Sequence, residues 1–280
     1  MILVTGATGT IGSELVRQLV ARGTPVRAMT REPGRMQPTP DVIITQGDFE
    51  DPMSLRRATE DVREVFLLSA PGPRVPEHDR AMMDAAVEAG VRKIVKLSAI
   101  GSTEQGMPGN WHAAGEQAVR ESGLAWTILR PAGFASNALR WVPAIRAGQA
   151  IPNLTGSGVH AFVDPRDVAA VAAEALLSAD HDGQIYTLTG PELLSVPDQV
   201  RQLSEVLGRE FAVSDVPREV AAERMRAAGM DEAVVSVAIR GAELIRSGAD
   251  KTFTADVERV LGRPAGTFRG WAESNGAAFG

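Results

Sequence analysis

Residues 2–12 read ILVTGATGTIG, a short apolar run that breaks into a glycine-rich turn, and SELVRQLVARG follows at residues 13–23. The β-branched and aliphatic side chains of Ile2 to Thr5 suit a strand buried on both faces. Behind the turn, Ile11, Leu15, Leu19 and Val20 recur at helical spacing, and Gly23 offers a C-terminal stop. Each glycine has its own expected task. Gly6 permits the tight turn, Gly9 lets a ligand approach the backbone with no Cβ in the way, and Gly12 lets the helix pack close to the strand. The unpaired amides of Gly6, Thr8, Gly9, Thr10, Ile11 and Gly12, at the positive end of a helix, form a seat for a diphosphate. No lysine follows Gly12, which separates this loop from the phosphate loop of nucleotide triphosphatases.

Outward from this unit the alternation continues. Strands are expected at Val26 to Thr30, Val42 to Thr45, Glu64 to Ser69, Lys93 to Ser98 and Ala125 to Leu129. A helix with the stripe Met82, Ala85, Ala86 and Ala89 runs from Glu77 to Gly90. Strand and helix taken in turn predict βαβ units: an α/β fold, a Rossmann-type doubly wound parallel sheet with a smaller, mainly helical substrate-side domain. The pattern becomes irregular after Pro131, so a nucleotide-binding domain is expected over 1–152, with a return strand at 184–188, and a substrate-side domain over 153–280. Asp164, Pro165 and Asp167 form a strong helix start, and a further helix is expected from Pro197 to Leu207.

The second strand ends in Met29, Thr30, Arg31 and Glu32. An acidic residue there holds the two ribose hydroxyls of NAD, whereas an arginine accommodates the 2′-phosphate of NADP. Arg31 favours NADP(H), and Glu32, at nearly the acidic spacing, opposes it.

Composition removes several classes. A net charge of −6 provides no basic footprint for a phosphate backbone, which argues against direct nucleic-acid binding. The chain has no cysteine, and His78, His112, His160 and His181 lack HExxH spacing, so no metal site is expected. Met1 leads directly into the first strand, and no apolar stretch reaches spanning length; the expectation is a cytoplasmic protein without membrane association. Nothing in the sequence fixes the oligomeric state.

With these segments in place, the chain resembles the NmrA-like branch of the atypical short-chain dehydrogenases/reductases, the group of triphenylmethane reductase and a bacterial NAD(P)H-dependent quinone oxidoreductase. The motifs are GATGTIG, QGDFEDPMSL around Asp48, LSAIGS around Ser98, ESGLAWTILRPAGFASN over 121–137, FVDPRDVAAVAAEAL around Asp164 and YTLTGPELLS from Tyr186. The resemblance implies that Asp48 and Phe49 border the adenine while Ser69 and Ala70 line the cofactor channel. A turn for Asp48 and core packing for Phe49 remain the plainer alternatives.

Ordinary members of that superfamily protonate substrate through a tyrosine with a lysine four residues later. Here the only tyrosine is Tyr186, in the expected C-terminal strand, and the only lysines are Lys93, Lys96 and Lys251. Where the resemblance puts the pair, the chain has His112 and Glu116, four apart and so on one helical face. His112 is either an acid–base group near the nicotinamide, for which an ordinary pKa of about 6.5 is suitable, or a partly solvated residue at a helix start beside Trp111. Glu116 is either a helix-stabilising or His112-orienting group or an acid in its own right. Ser98 ends the fifth strand, at the carboxyl end where open α/β sheets bind ligands, and is either a ligand contact with a part in catalysis or a simple strand terminus. Trp111, Phe134, Asn137 and Trp141 are candidates to line an aromatic substrate pocket, with ordinary packing the alternative for each.

Without the tyrosine, an acceptor that spreads charge over its own π-system is favoured over a simple ketone. The expected activity is therefore NADPH-dependent hydride transfer to a quinone-like or other planar conjugated molecule, which could be a dedicated polycyclic metabolite. The alternative from a different class is a non-enzymatic NADP(H)-binding redox sensor acting through a protein partner.

Overall fold

The computed structural model of the protein describes residues 1–102 and 110–280. In chain order the elements are β1 (Ile2–Val4), α1 (Thr10–Ala21), β2 (Val26–Thr30), β3 (Val42–Gln46), α2 (Pro52–Thr59), β4 (Glu64–Leu67), α3 (Val75–Glu88), β5 (Lys93–Leu97), α4 (Ala113–Glu121) and β6 (Ala125–Pro131). They continue with α5 (Val142–Arg146), β7 (Ile151–Asn153), α6 (Pro165–Leu177), β8 (Gln184–Leu188), α7 (Val196–Leu207), β9 (Val213–Asp215), α8 (Arg218–Ala227), α9 (Glu232–Ser247), α10 (Asp256–Leu261) and α11 (Phe268–Asn275).

The strands form one seven-stranded sheet in the order β3-β2-β1-β4-β5-β6-β8, with β1 to β6 parallel. This is the Rossmann arrangement, and its order reverses between β1 and β4. Two compact units divide the chain discontinuously: residues 1–130 with 165–187, and residues 131–164 with 188–280. The return strand β8 lies in the sheet as expected, but a cut after residue 152 does not describe the division, because α6 belongs with the sheet and residues 131–152 with the second unit.

In the first unit Leu3, Val65, Leu67 and Ile94 pack against Leu55, Met82, Ala86 and Val119 from α2, α3 and α4. Against the other face lie α1 and α6, which pack together; Ile11, Leu15, Val16 and Leu19 are buried in α1, and Val168, Ala169, Ala172 and Ala173 in α6. The alanines carry almost no side chain, so the two helices approach closely. Ala89, expected in the buried stripe of α3, caps that helix and is exposed. A short parallel pair, β7 with β9, belongs to the second unit, whose core joins Trp141, Ile145, Ile151, Leu203, Phe268, Trp271 and Phe279.

Candidate functional site

The turn after β1 carries the construction the glycines require. Gly6 has φ +61°, a left-handed conformation that L side chains rarely adopt. A Cβ on Gly12 would stand 2.2 Å from the Gly6 carbonyl oxygen, so any side chain there would force the turn away from the helix. Thr5 ties the turn to the neighbouring strand: its hydroxyl donates toward the carbonyls of Phe66 and Leu68, and the Leu68 N–H donates back to it at 2.8 Å. Gly9 is the extended N-cap of α1 and supplies no side-chain cap, which leaves first-turn amides open to an anion.

A cavity of about 320 Å³ opens beside this turn. Its walls come from the segments that follow β1 (Gly6, Thr8, Gly9), β2 (Arg31, Glu32, Arg35), β3 (Gly47, Asp48, Phe49, Glu50) and β4 (Leu68, Ser69, Ala70, Pro71). All four lie at the carboxyl ends of parallel strands around the reversal point, where an open α/β sheet binds its ligand. Gly6, Thr8, Gly9, Arg31, Asp48, Phe49, Ser69 and Ala70 thus line one cavity. Thr10 begins α1 at the surface, and Ile11 and Gly12 are buried in its first turn, where they support the cradle from behind. Asp48 also builds its own turn, its carboxylate accepting the Glu50 N–H at 3.0 Å.

Sequence reasoning missed Arg35 and His78. Arg35 stands on the 3₁₀ turn after Arg31, and its Nη1 lies 3.9 Å from the Glu32 carboxylate, so the acidic residue that opposes a 2′-phosphate is partly offset by a second cation. His78 enters the cavity wall from α3 and stacks on Phe49, with ring centroids 5.3 Å apart and planes 16° from parallel. Both its ring nitrogens are buried without a hydrogen-bond partner. The stack gives the cavity an aromatic wall. The glycine cradle, Arg31 with Arg35 and this aromatic wall all fit a pyridine dinucleotide.

Past Ser69 a chain of buried polar contacts runs into the sheet. Ser69 donates to Asp79 at 2.6 Å, Asp79 accepts from Lys96 at 2.5 Å, and Lys96 Nζ lies 3.4 Å from His112 Nδ1. Asp79 and Lys96 are both fully buried. Burial first, then the Lys96 charge, lowers the His112 pKa to about 4, with Asp79 and Glu116 opposing. The ordinary value near 6.5 expected from the sequence is corrected on that ground: at neutral pH this imidazole is uncharged.

Glu116 is also fully buried, and it does not orient His112. Its Oε1 accepts from Ser98 at 2.5 Å, from Ser102 at 2.6 Å and from Arg130 Nε at 2.9 Å; its Oε2 accepts from Arg130 at 2.5 Å and Arg120 at 3.2 Å. Although burial alone would raise its pKa, these donors, Arg130 foremost, bring it down to about 2. The Ser98 proton is thereby committed to a carboxylate, which leaves the serine only lone pairs to offer a ligand. Trp111 is half-buried in the 3₁₀ turn before α4. In the second unit Phe134 and Asn137 are half-buried, whereas Trp141 is packed into the core with Phe268 and Trp271. Tyr186, in β8, is buried with its hydroxyl 2.8 Å from His181 Nδ1, a structural pairing.

Known proteins place this geometry. A family model described as NAD(P)H-binding matches residues 6–179. A (4-alkanoyl-5-oxo-2,5-dihydrofuran-3-yl)methyl phosphate reductase of Streptomyces griseus is 39% identical over 100% of this chain and 99% of its own. An NAD(P)H azoreductase of Xenophilus azovorans is 34% identical over 100% and 99%. Among solved structures, an NADPH complex of an Escherichia coli quinone oxidoreductase superposes with TM-score 0.85 at 22% identity, covering 98% of this chain and 99% of the other. Triphenylmethane reductase of Citrobacter sp. with NADP(H) gives 0.84 at 24% identity, covering 99% and 100%. These two show the fold.

Proposed function

Because the chain belongs to the NAD(P)H-binding family and is an NAD(P)H-dependent oxidoreductase, we propose that it passes hydride from NADPH to a small, planar, conjugated acceptor. The observation that carries the NADPH part is the single cavity in which the Gly6–Gly9 turn, Arg31, Arg35 and the Phe49–His78 stack meet. The turn amides and the α1 terminus hold the diphosphate, the two arginines favour the 2′-phosphate, and the stacked rings face the adenine.

When bound, NADPH supplies a hydride. The relatives' names support such an acceptor: one is a (4-alkanoyl-5-oxo-2,5-dihydrofuran-3-yl)methyl phosphate reductase, another an NAD(P)H azoreductase. In acceptors of this kind a conjugated double bond takes hydride at one end, and the charge spreads over the rest of the π-system. Such a substrate makes small demands for proton transfer, which agrees with a chain that lacks the tyrosine–lysine pair. The protein's work is then to hold two flat molecules in register, exclude water and offer a hydrogen bond to the atom on which charge collects.

The test mixes the protein with NADPH deuterated at C4 and a panel of a quinone, an azo dye and an acylated unsaturated lactone. Acceptor-dependent NADPH oxidation is followed by absorbance for all three, and deuterium by mass spectrometry in the lactone product, where it ends on carbon and does not exchange with water. Transfer to at least one acceptor, with NADPH preferred over NADH, is expected. Tight NADPH binding with no transfer to any member would overturn the reductase reading and favour a sensor.

A further inference from the structure

Bringing the buried pair of Lys96 and Asp79 out of water carries a desolvation penalty for each ion that their mutual attraction has to repay. The surrounding structure is nevertheless built around it. Gly115 in α4 has no room for a side chain, since a Cβ there would lie 2.0 Å from Asp79 Oδ2. Both carboxylate oxygens are used, Oδ1 by the Ser69 hydroxyl and Oδ2 by the Lys96 ammonium. The third member of the set is His112, 9% exposed, whose Nδ1 faces the same ammonium.

An ammonium group has only protons to offer, so the imidazole nitrogen facing it must be the acceptor. A proton on Nδ1 would put N–H against N–H in a site with almost no solvent to screen the clash. We propose that Lys96 and Asp79 are positioning residues that hold His112 as a neutral imidazole with its proton on Nε2, a fixed hydrogen-bond donor rather than a titrating acid. The charged groups that act on the ring are Lys96 from β5, Asp79 from α3 and Glu116 from α4. Burial and the Lys96 charge keep it neutral through the physiological range, against the opposing pull of Asp79 and Glu116.

This assignment rests on the reductase reading, and gives His112 its part in it. Nε2–H would donate to the oxygen or nitrogen on which negative charge gathers as the acceptor is reduced. No proton need leave the ring, because a delocalised anion of this kind can collect its proton from water. Ser69 sits at the other end of the same set and lines the nucleotide cavity. One buried carboxylate therefore ties the cofactor channel, through Lys96, to His112.

The experiment reads the ring itself and needs neither cofactor nor acceptor. In ¹⁵N-labelled protein, long-range proton–nitrogen spectra of the four imidazoles are recorded across pH, with His112→Gln used to assign the signals. The expected result is an Nε2–H tautomer for His112 that persists unchanged to about pH 5. In the double variant Lys96→Met with Asp79→Asn, which removes both charges together, the tautomer should become mixed and the His112 midpoint should move upward, since Lys96 outweighs Asp79 among the charges acting on the ring. Circular dichroism reports whether that variant folds; if it does not, the wild-type spectra decide alone. An Nδ1–H tautomer, or a wild-type midpoint near that of a free histidine, overturns the proposal. A locked ring in a protein that reduces nothing would instead leave the lock standing and remove the reductase reading.

Discussion

Replacing Glu116 by glutamine removes one charge from a group that holds together four side chains: Ser98, Ser102, Arg120 and Arg130. The pKa falls from the model-compound value of 4.5 to about 2 on folding. Each pKa unit corresponds to about 1.4 kcal/mol, so the ionised carboxylate contributes about 3 kcal/mol to the folded state. The sign follows from the direction. A depressed pKa means that the unfolded chain takes up the proton first as pH falls, so this stability is complete above pH 4.5 and is lost on the way down to about 2. At neutral pH, E116Q should lose about 3 kcal/mol, equivalent to a fall in Tm of roughly 6–12 °C for a chain of this size. Near pH 3 the deficit should shrink to about 1 kcal/mol. Urea unfolding followed by circular dichroism at both pH values measures it. A deficit below about 1 kcal/mol at neutral pH, or one that does not change between the two conditions, would refute the idea that this carboxylate works as a buried anion.

Other substitutions probe other parts. Gly12→Ala places a Cβ against the Gly6 carbonyl and should abolish measurable NADPH binding in calorimetry while leaving the sheet's circular dichroism largely in place. Arg31→Ala should weaken NADPH by roughly tenfold or more through loss of a charge-assisted contact, and leave NADH affinity nearly unchanged; equal losses for both would place Arg31 away from the 2′-phosphate. With His112 held at about 4, turnover should show no inflection between pH 6 and 7, and stability should decline as pH falls from 6.5 toward 4, where the unfolded chain binds a proton that the folded ring refuses. Trp141→Ala should cost about 3–5 kcal/mol of stability, as expected of an aromatic ring removed from a core, and a change in KM alone would return Trp141 to the substrate pocket.

The first half of the fold was legible because each signal was local. The glycine spacing, the apolar runs of β1 to β6 and the stops at Gly23 and Gly90 all act over a few residues, and the strands fall within a residue or two of expectation. The division of the chain was legible only in part: the return strand β8 was expected with the sheet, but whether α6 joins it depends on what α1 leaves uncovered. The same limit applied to the site. Arg31, Asp48 and Ser69 could be found from their places at strand ends, but His78 reaches the cavity from a helix in no motif. Lys96 had a usable signal that was overlooked: a lysine in the middle of KIVKLS, a strand buried on both faces, has to find an anion inside the protein. What no spacing could provide is that the anion would be Asp79 and that His112 would lie against the same ammonium.

The route of the chain bears on how the protein is made. On the ribosome, residues 1–130 emerge first, and α1 then presents Ile11, Leu15 and Leu19 with no α6 to cover them until residues 165–177 have been synthesised. The phosphate-binding turn, which rides on α1, cannot be firmly seated before then, so a nascent or truncated chain ending near residue 150 should be sticky and unable to retain nucleotide.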